Sequence, residues 1–398
     1  MKSPIGPCSV SILSLCYRSI VEQSNIGDSR RRSGMTLRVL VIGGTGPTGP
    51  LVVDGLRARG AEITILHRGA HELPELADLE HIHVDPHDPE AVRPLLRDRS
   101  FDVAVVMYGR LEGLADVLAG KTAHLIAIGG TNYALGDHQW LAEDHPYRAV
   151  TAGEKMRRAE EALLAKGAAG AFGATLLRYG NIYGPRQLAP REWSLVRRFL
   201  DGRRRFILCD SGITLETRLS ARNAAHAVLV TFDNLARAAG RTYNVADAYP
   251  LTDRERLALV ARTMGIGDYE VVPVPTHLAA PAWFWGVGRS LNKPGESPEI
   301  GHRLLSIRRI ADELGYAPVV TPEEAMAETV RYYLAHPPPR HGSIEQKLGD
   351  PFDYDGEDRF LAAWDRCVQD LRAVPIVPVN AQHGYRLIED PASPRSGA

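Results

Sequence analysis

Three glycines, Gly43, Gly46 and Gly49, mark the point where an apolar run gives way to a helical pattern. Glycines in a tight turn let backbone N–H groups and the positive end of the following helix approach a pyrophosphate, because no side chain stands in the way. A second apolar run, Glu62–Leu66, follows at the spacing of a βαβ unit. The turn therefore predicts a dinucleotide site whose cofactor-binding residues are Gly43, Gly46, Pro47, Thr48 and Gly49.

The residues after the second apolar run bear on the choice of dinucleotide. His67 and Arg68 stand there, and no acidic residue does. An acidic side chain would accept hydrogen bonds from the adenosine ribose of NAD, whereas a basic one pairs with the 2′-phosphate of NADP. We expect NADP rather than NAD, with Arg68 as a contact; the alternative is an Arg68 that faces solvent or stacks on adenine.

The elements that must position these residues alternate between strand and helix. Runs of β-branched residues alternate with helical periodicity, which predicts an α/β fold with a doubly wound parallel Rossmann sheet covered by helices on both faces. A ligand of such a sheet lies at the carboxyl ends of its strands. After the glycine turn, the predicted strands are Glu62–Leu66, His81–Val84, Phe101–Met107, His124–Ile128 and Ala174–Arg178, and the predicted helices include Leu111–Leu118 and Glu154–Ala165.

Composition restricts the partners and the compartment. With 47 Lys+Arg against 48 Asp+Glu, the net charge is close to zero, and we expect no nucleic-acid partner. The basic run between Arg197 and Arg205 is interpreted as a solvated helix end. The four cysteines show no C-x-x-C spacing, which fits a reducing cytoplasm. No segment has the length and apolarity of a membrane span, so we expect no membrane association.

The chain is predicted to have three parts. Residues 1–34 form a disordered extension, and residues 35–336 form an NAD(P)-binding Rossmann domain with an interleaved, smaller C-terminal substrate-binding region. Residues 337–398 comprise a stiff linker at Pro337–Pro339, an amphipathic helix and a disordered tail. The apolar residues of that helix are Phe360, Leu361, Trp364, Cys367, Val368 and Leu371.

Several motifs, in order along about residues 37–336, resemble the extended short-chain dehydrogenase/reductase family, which includes NAD-dependent epimerases and dehydratases of nucleotide sugars. The resemblance implies an NAD(P) cofactor, a small-molecule substrate and a homodimer, but it does not determine the reaction. The motifs are Gly43-Gly-Thr-Gly-Pro-Thr-Gly49, Arg178-Tyr-Gly-Asn-Ile-Tyr-Gly-Pro-Arg-Gln187, Leu219–Ala227, Tyr243–Ala246 and Glu313–Pro318.

The resemblance assigns further cofactor contacts. Asp85 resembles an acidic residue that contacts the adenine amine, Lys155 a residue that holds the nicotinamide ribose, and Tyr179 a residue beside the nicotinamide amide. His81, His83 and Asp85 also alternate along one strand and would share one face, which could suggest a metal. The same positions are explained by an adenine-side loop, so we expect no metal.

The catalytic part departs from the family pattern. Family members carry a Tyr four residues before a Lys on one helix, where the lysine lowers the tyrosine pKa so that a phenolate can take a proton. Lys155 is in place, but Thr151 stands where the tyrosine should be. An aliphatic hydroxyl is too weak an acid to replace it. Tyr147, one turn earlier, could substitute only if the backbone bends.

Other hydroxyl groups remain candidates for catalysis beside Lys155. One register places Thr131 at the family's hydroxyl position after the fifth strand, and the other places Gly129 there and aligns Tyr133 with the family's following tyrosine. Tyr108 and Tyr133 each follow a strand end and are candidates for a relocated acid or base. A buried structural role is the alternative for both.

Substrate contacts are predicted at Tyr108, Asn181 and Arg218. Asn181 resembles the family's substrate-contacting asparagine, and Arg218 lies near the place of an arginine that pairs with a substrate pyrophosphate. That place itself reads Glu216-Thr217, which weakens a nucleotide-sugar assignment. Asn223 is predicted as a helix N-cap. The aromatic run Ala279–Gly288 could line an apolar pocket or pack against the sheet or a partner.

The expected function is that of an NAD(P)-dependent epimerase, dehydratase or reductase. Its substrate would be a secondary alcohol or carbonyl of a nucleotide sugar or another small metabolite. The alternative is a redox-inactive relative that binds a dinucleotide and acts as a sensor or as a protein- or RNA-binding module. The missing tyrosine favours the alternative, whereas Lys155 and Asn181 favour the enzyme.

Overall fold

A computed structural model describes residues 36–70, 72–107, 109–134, 140–147, 151–275 and 301–378. Several sequence-based predictions fall outside these residues. They concern the extension at 1–34, Tyr108, the aromatic run at 279–288 and the tail from residue 390.

The strands and helices alternate as predicted. The strands are β1 (Arg38–Ile42), β2 (Glu62–His67), β3 (Glu80–His83), β4 (Phe101–Val106), β5 (Thr122–Gly130), β6 (Trp140–Leu141), β7 (Gly173–Tyr179), β8 (Asn181–Tyr183), β9 (Arg205–Cys209), β10 (Leu215–Glu216), β11 (Arg218–Ser220), β12 (Arg241–Val245), β13 (Leu251–Thr252), β14 (Glu270–Val274) and β15 (Leu304–Leu305). The helices are α1 (Gly49–Arg57), α2 (Pro89–Leu95), α3 (Leu111–Leu118), α4 (Thr151–Ala168), α5 (Arg191–Leu200), α6 (Ala221–Asp233), α7 (Leu235–Ala238), α8 (Asp253–Thr263), α9 (Arg308–Leu314), α10 (Pro322–Ala335), α11 (Ser343–Leu348) and α12 (Tyr354–Ala373), with 3-10 turns at Pro74–Leu76 and Asp210–Gly212.

The central sheet has seven strands in the order β3-β2-β1-β4-β5-β7-β12. All neighbouring strands are parallel. The strand order reverses between β1 and β4, and a crevice for a ligand opens at the carboxyl ends of the strands at such a switch point. The predicted α/β, doubly wound Rossmann fold is therefore confirmed, and β12 is a seventh strand that the periodicity did not predict.

Helices cover both faces of this sheet, which explains why both faces of β1, an inner strand, are apolar. Along β1, Val39 and Val41 belong to one apolar core and Leu40 and Ile42 to the other, and none of the four is exposed. Successive side chains of a strand point to opposite faces, so each face of β1 contributes two residues to its own core.

Asn223 is not the N-cap of α6, so that prediction is wrong. Ser220 occupies the cap position, and its hydroxyl accepts a hydrogen bond from the Asn223 N–H at 3.2 Å. The buried Asn223 amide instead donates to Asp247 at 2.7 Å and to the Val320 carbonyl at 2.9 Å. Asn223 thus joins the start of α6 to two loops.

The interpretation of Arg197 and Arg198 as a solvated helix end is also wrong. Both lie on α5 and are buried, with 5% and 2% of their surface exposed. Arg197 is paired with Glu345, and the Arg198 guanidinium contacts Asp350 at 2.6 and 3.0 Å. The carboxylates come from a segment about 150 residues further along the chain, so the local sequence could not reveal them.

The chain divides into two compact units, of which the first ends at Phe352 and the second begins at Asp353. Residues 337–352, which include the predicted linker at Pro337–Pro339, therefore lie in the first unit, and α11 is among them. The predicted amphipathic helix is α12 in the second unit, where Leu361 is buried and Leu371 is exposed. Among the helices of the described residues, none is long and apolar enough to cross a membrane.

Candidate functional site

Three positions of the turn between β1 and α1 favour glycine, each for a different physical reason. Gly43 has a φ of +96°, which disfavours other residues. A Cβ at Gly49 would lie 2.0 Å from the Gly44 carbonyl oxygen, so only glycine allows α1 to begin so close to the turn. A Cβ at Gly46 would meet nothing within 4 Å. Gly46 therefore leaves open space beside the backbone, as close approach of a diphosphate requires.

A cavity of about 440 Å³ opens over this turn, at the carboxyl ends of β1 and β2. Its size is in the range of about 300–1,000 Å³ that is usual for small-molecule sites. Five predicted cofactor residues line it: Gly43, Gly46, Pro47, Thr48 and Arg68. Sequence reasoning did not assign a role in this cavity to Met107, Ile182, Gln187, Leu188 or Lys347, which also line it.

The charge of the cavity suits an anion. Arg68 and Lys347 contribute two cationic side chains, and none of the described residues that line the cavity is acidic. The first turn of α1 adds the positive end of a helix dipole. The open space at Gly46 and this charge together fit the diphosphate of a dinucleotide. Asp85 does not line the cavity, and its carboxylate accepts a hydrogen bond from the His87 N–H at 2.9 Å.

Lys347 reaches the cavity from α11, beyond the region that resembles the family. Two buried ion pairs join this segment to α5, because Arg197 pairs with Glu345 in α11 and Arg198 pairs with Asp350 just after the helix. The Trp193 indole also donates to the Glu345 carboxylate at 2.9 Å. No local motif surrounds Lys347, so only the fold could identify it.

Two of the predicted catalytic residues, Lys155 and Thr131, differ in exposure and in contacts. Lys155 is exposed on α4 and is not among the residues that line the cavity. The half-buried Thr131 donates its hydroxyl to the Tyr179 carbonyl at 3.3 Å, so these two residues are brought together. The Tyr179 side chain is buried, its hydroxyl donates to the Ala224 carbonyl at 2.8 Å, and burial raises its pKa.

Tyr133 lies in a buried polar network, not at an open surface. Its hydroxyl accepts from the Arg178 guanidinium at 2.9 Å and donates to the Asn244 side chain at 2.6 Å. Burial raises the pKa of Tyr133 to about 12. Tyr147 packs beside it and donates its hydroxyl to Glu160, and burial together with that carboxylate raises the Tyr147 pKa. This environment favours structural roles; the catalytic role of Tyr133 stays a prediction.

The predicted substrate residue Arg218 is buried and compensated by carboxylates. It pairs with Glu192, and its guanidinium lies 5.2 Å from the centre of the Tyr183 ring. Asn181 is half-buried and donates its amide to Glu216. Although burial alone would raise the pKa of Glu216, the surrounding arginines, Arg256 foremost, lower that pKa to about 2. Glu216 is therefore a carboxylate at neutral pH, where the family pattern has a phosphate-binding arginine.

No family model matches the chain. The chain is 25% identical over 278 residues to a 3-diazoavenalumate denitrifying reductase of Streptomyces sp., a match that covers 62% of this chain and 88% of that protein.

Solved structures of epimerases and dehydratases share the fold. One is a dTDP-glucose 4,6-dehydratase from Bacillus anthracis in complex with NAD, with a TM-score of 0.59 and 16% identity over 75% of this chain and 97% of that one. Another is a UDP-glucose 4-epimerase from Thermotoga maritima with UDP-glucose. Its TM-score is 0.61, and it is 17% identical over 75% of this chain and 99% of the epimerase. The fold that the motifs indicate is thus confirmed, and the chain has the fold of these solved NAD-dependent epimerases and dehydratases.

Proposed function

We propose that this chain is an NADPH-dependent reductase of a small metabolite that is less polar than a nucleotide sugar. The observation that carries the proposal is the cavity over the glycine turn, which joins exposed backbone at Gly46 to the cations Arg68 and Lys347. NADPH, when bound, supplies the two electrons of the reduction. Arg68 and Lys347 would hold its anionic groups, and Lys155 would orient the nicotinamide ribose.

The described part of the cavity lining, which contains two cations and no acidic residue, supports NADPH over NADH. Arg68 follows β2, where an acidic residue would be expected for NAD. A second cation, Lys347, adds to the attraction for the additional phosphate of NADPH. The solved relatives include complexes with NAD, so the choice between the two dinucleotides depends on this chain's own residues.

The state of the tyrosines supports reduction over alcohol oxidation. Oxidation of an alcohol requires a base that takes its proton, whereas a reduction requires a proton donor, and water can serve as one. Tyr133 and Tyr147 are hydrogen-bonded, and their raised pKa values disfavour a phenolate at neutral pH. The curated relative is also called a reductase.

The charges around Arg218 support a substrate without a diphosphate. Arg218 already pairs with the buried Glu192, so its charge is compensated without a ligand. A phosphate that drew Arg218 away from Glu192 would leave a buried carboxylate without its partner, which costs about 3–5 kcal/mol. A ligand without phosphate groups does not compete for this pair. The homodimer and the cytoplasmic location stay predictions.

Cofactor binding and turnover can be tested on the full chain. NADPH and NADH are titrated by fluorescence, and the absorbance of the reduced nicotinamide is then followed with aromatic diazo and carbonyl compounds and, separately, with UDP-glucose and dTDP-glucose. We expect NADPH to bind about tenfold or more tightly than NADH, which is about 1.4 kcal/mol. We also expect an aromatic acceptor to oxidise it and Lys155→Ala to slow that oxidation.

Two outcomes would count against the reductase. Turnover of a sugar nucleotide in preference to the aromatic acceptors would indicate that the chain is an epimerase or a dehydratase. Tight NADPH binding with no oxidation by any acceptor, and a Lys155→Ala variant that changes binding alone, would favour the redox-inactive alternative.

A further inference from the structure

A group of metal-binding side chains lies beside the cavity, at the carboxyl ends of β2 and β3. We call it the histidine cluster, and it comprises His67, Glu72, His81 and His83. The parallel register pairs His67 with His83, and His81 precedes His83 by two residues. Because alternate residues of a strand share one face, the three imidazoles project to the same side of the sheet. Glu72 joins them from the loop that follows β2.

The ligand atoms are close to the spacing of a coordination shell. The four atoms lie within 4.8 Å of one another. His67 Nε2 is 2.7 Å from His81 Nδ1 and 3.9 Å from Glu72 Oε1, and Glu72 Oε1 is 3.2 Å from His83 Nε2. A tetrahedral zinc ion with bonds of about 2.0–2.2 Å sets its ligand atoms about 3.3 Å apart. These separations therefore bracket the spacing that a zinc ion requires.

Outer hydrogen bonds orient the cluster. His81 Nε2 lies 2.9 Å from the Leu76 carbonyl, which can only accept, so the proton of His81 is on Nε2 and its Nδ1 lone pair faces His67. Such a bond from the second ring nitrogen is the usual support of a metal-binding histidine. The Gly69 N–H contacts His67 Nδ1 at 3.3 Å. Metal binding at His67 Nε2 would move the ring proton to Nδ1 and break this long bond, with no net loss of a proton.

We propose that the histidine cluster is a Zn²⁺ site that holds the loop between β2 and the turn at Pro74–Leu76. Three imidazole nitrogens and one carboxylate oxygen form a closed four-ligand set of the kind that suits zinc. The loop carries Arg68 and Ala70, which line the cavity, so the metal stabilises one wall of that cavity. The site replaces the expectation of no metal, and Asp85 has no part in it.

The full chain, stripped of metal with EDTA, is titrated with Zn²⁺ by calorimetry and with Co²⁺ by visible absorption. We expect one equivalent of each metal and the intense absorption of tetrahedral Co²⁺. Glu72→Gln and His83→Ala should each weaken binding by about tenfold or more, because each removes a ligand. These side chains are 54% and 55% exposed, so both metal-free variants should melt at the temperature of the metal-free parent. His87→Ala is the matched control, an exposed histidine outside the cluster.

The proposal is overturned if the parent protein binds less than one equivalent of Zn²⁺ at saturation, or if the Co²⁺ absorption is that of an octahedral ion. It is also overturned if Glu72→Gln and His83→Ala bind as tightly as the parent and as His87→Ala, since the metal would then be held elsewhere in the chain.

Discussion

Tyr133 has a hydroxyl that both donates and accepts inside the protein. Its donor bond goes to Asn244 and its acceptor bond comes from Arg178, so proton exchange with a ligand would require both bonds to break. Burial places its pKa at about 12, several units above the pH at which a general acid or base must work. We therefore expect a structural role for Tyr133.

Tyr133→Phe separates a structural from a catalytic role. The substitution leaves the Asn244 oxygen and one Arg178 N–H without their partner, so we expect the free energy of unfolding to fall by about 1–3 kcal/mol. NADPH oxidation in the folded variant should stay within about twofold of the parent, since a loss of about 10²–10⁴ is typical of a missing acid or base. Urea unfolding and initial rates measure the two effects. A stable variant with a rate lowered to that extent would make Tyr133 the acid or base.

Residue roles could be predicted where the reason is local. Gly43, Gly46 and Gly49 follow from the geometry of one turn, and the sequence shows all of that turn. Asn223 could not be predicted, because its amide bonds to Asp247 and Val320. These partners come from other parts of the chain, and the nearby Ser220 was equally suited to be the cap.

Helix α11 shows what the C-terminal segment adds to the first unit. A linker was predicted at Pro337–Pro339, yet two buried ion pairs attach the following segment to α5, one through Glu345 in α11 and one through Asp350 just after it. A buried charge without its partner is costly, so both pairs should form when the segment folds. As a result, a lysine from outside the family-like region lines the cavity over the glycine turn.

Lys347→Gln tests whether Lys347 contributes to NADPH binding in this cavity. The variant removes one positive charge from the cavity wall and keeps the exposed side chain near its original size. We expect its Kd for NADPH to rise by about fivefold, which is about 1 kcal/mol. Lys166→Gln is the control, since Lys166 pairs with Asp116 on the outer helices. Equal NADPH affinities in both variants would mean that α11 does not contact the cofactor.

Strand β5 carries a buried histidine that should make stability depend on pH. His124 is 1% exposed, its Nε2 bonds Thr175 at 2.9 Å, and burial lowers its pKa to about 3. Between this value and the ordinary pKa of about 6.5, the unfolded chain binds one proton more than the folded chain. The contribution of His124 is complete above pH 6.5 and falls by about 1.4 kcal/mol per pH unit on acidification.

His124→Gln should remove that slope. Urea unfolding between pH 7 and pH 4 is expected to show a free energy of unfolding that declines less steeply in the variant, by about 1.4 kcal/mol per pH unit. His336→Gln, at an exposed histidine, is the control and should keep the slope of the parent. If the slopes of parent and His124→Gln coincide, His124 is not neutral in the folded protein.

The elements themselves were accessible from the sequence to different degrees. Strands β1, β2, β4 and β5 are mostly apolar because both faces of the sheet are covered, and such strands are readily predicted. Strand β12 was missed because Arg241–Val245 is short and partly polar. The burial of α5 was missed because its arginines look solvated until the carboxylates of the C-terminal segment are placed against them.

At the scale of the whole molecule, the fold and one half of the site were predictable. The motifs indicated a Rossmann sheet with a dinucleotide at its strand ends, and the topology and the solved relatives agree with that fold. The other half depends on long-range contacts. Lys347 joins a turn that is about 300 residues earlier in the chain, and Glu72 joins His67 only through the shape of a loop.

The central claim is that the cavity over the glycine turn binds NADPH, and Gly46→Ala tests it most directly. A Cβ at Gly46 meets nothing within 4 Å, so the variant should fold and melt as the parent does, while the added methyl blocks the approach of the diphosphate. Gly267→Ala is the matched control, because a Cβ there also meets nothing within 4 Å and the residue lies away from the cavity. In a fluorescence titration with NADPH, we predict that Gly46→Ala binds about tenfold or more weakly than the parent and that Gly267→Ala binds as the parent does. Unchanged NADPH affinity in Gly46→Ala, or no NADPH binding by the parent, would contradict the claim.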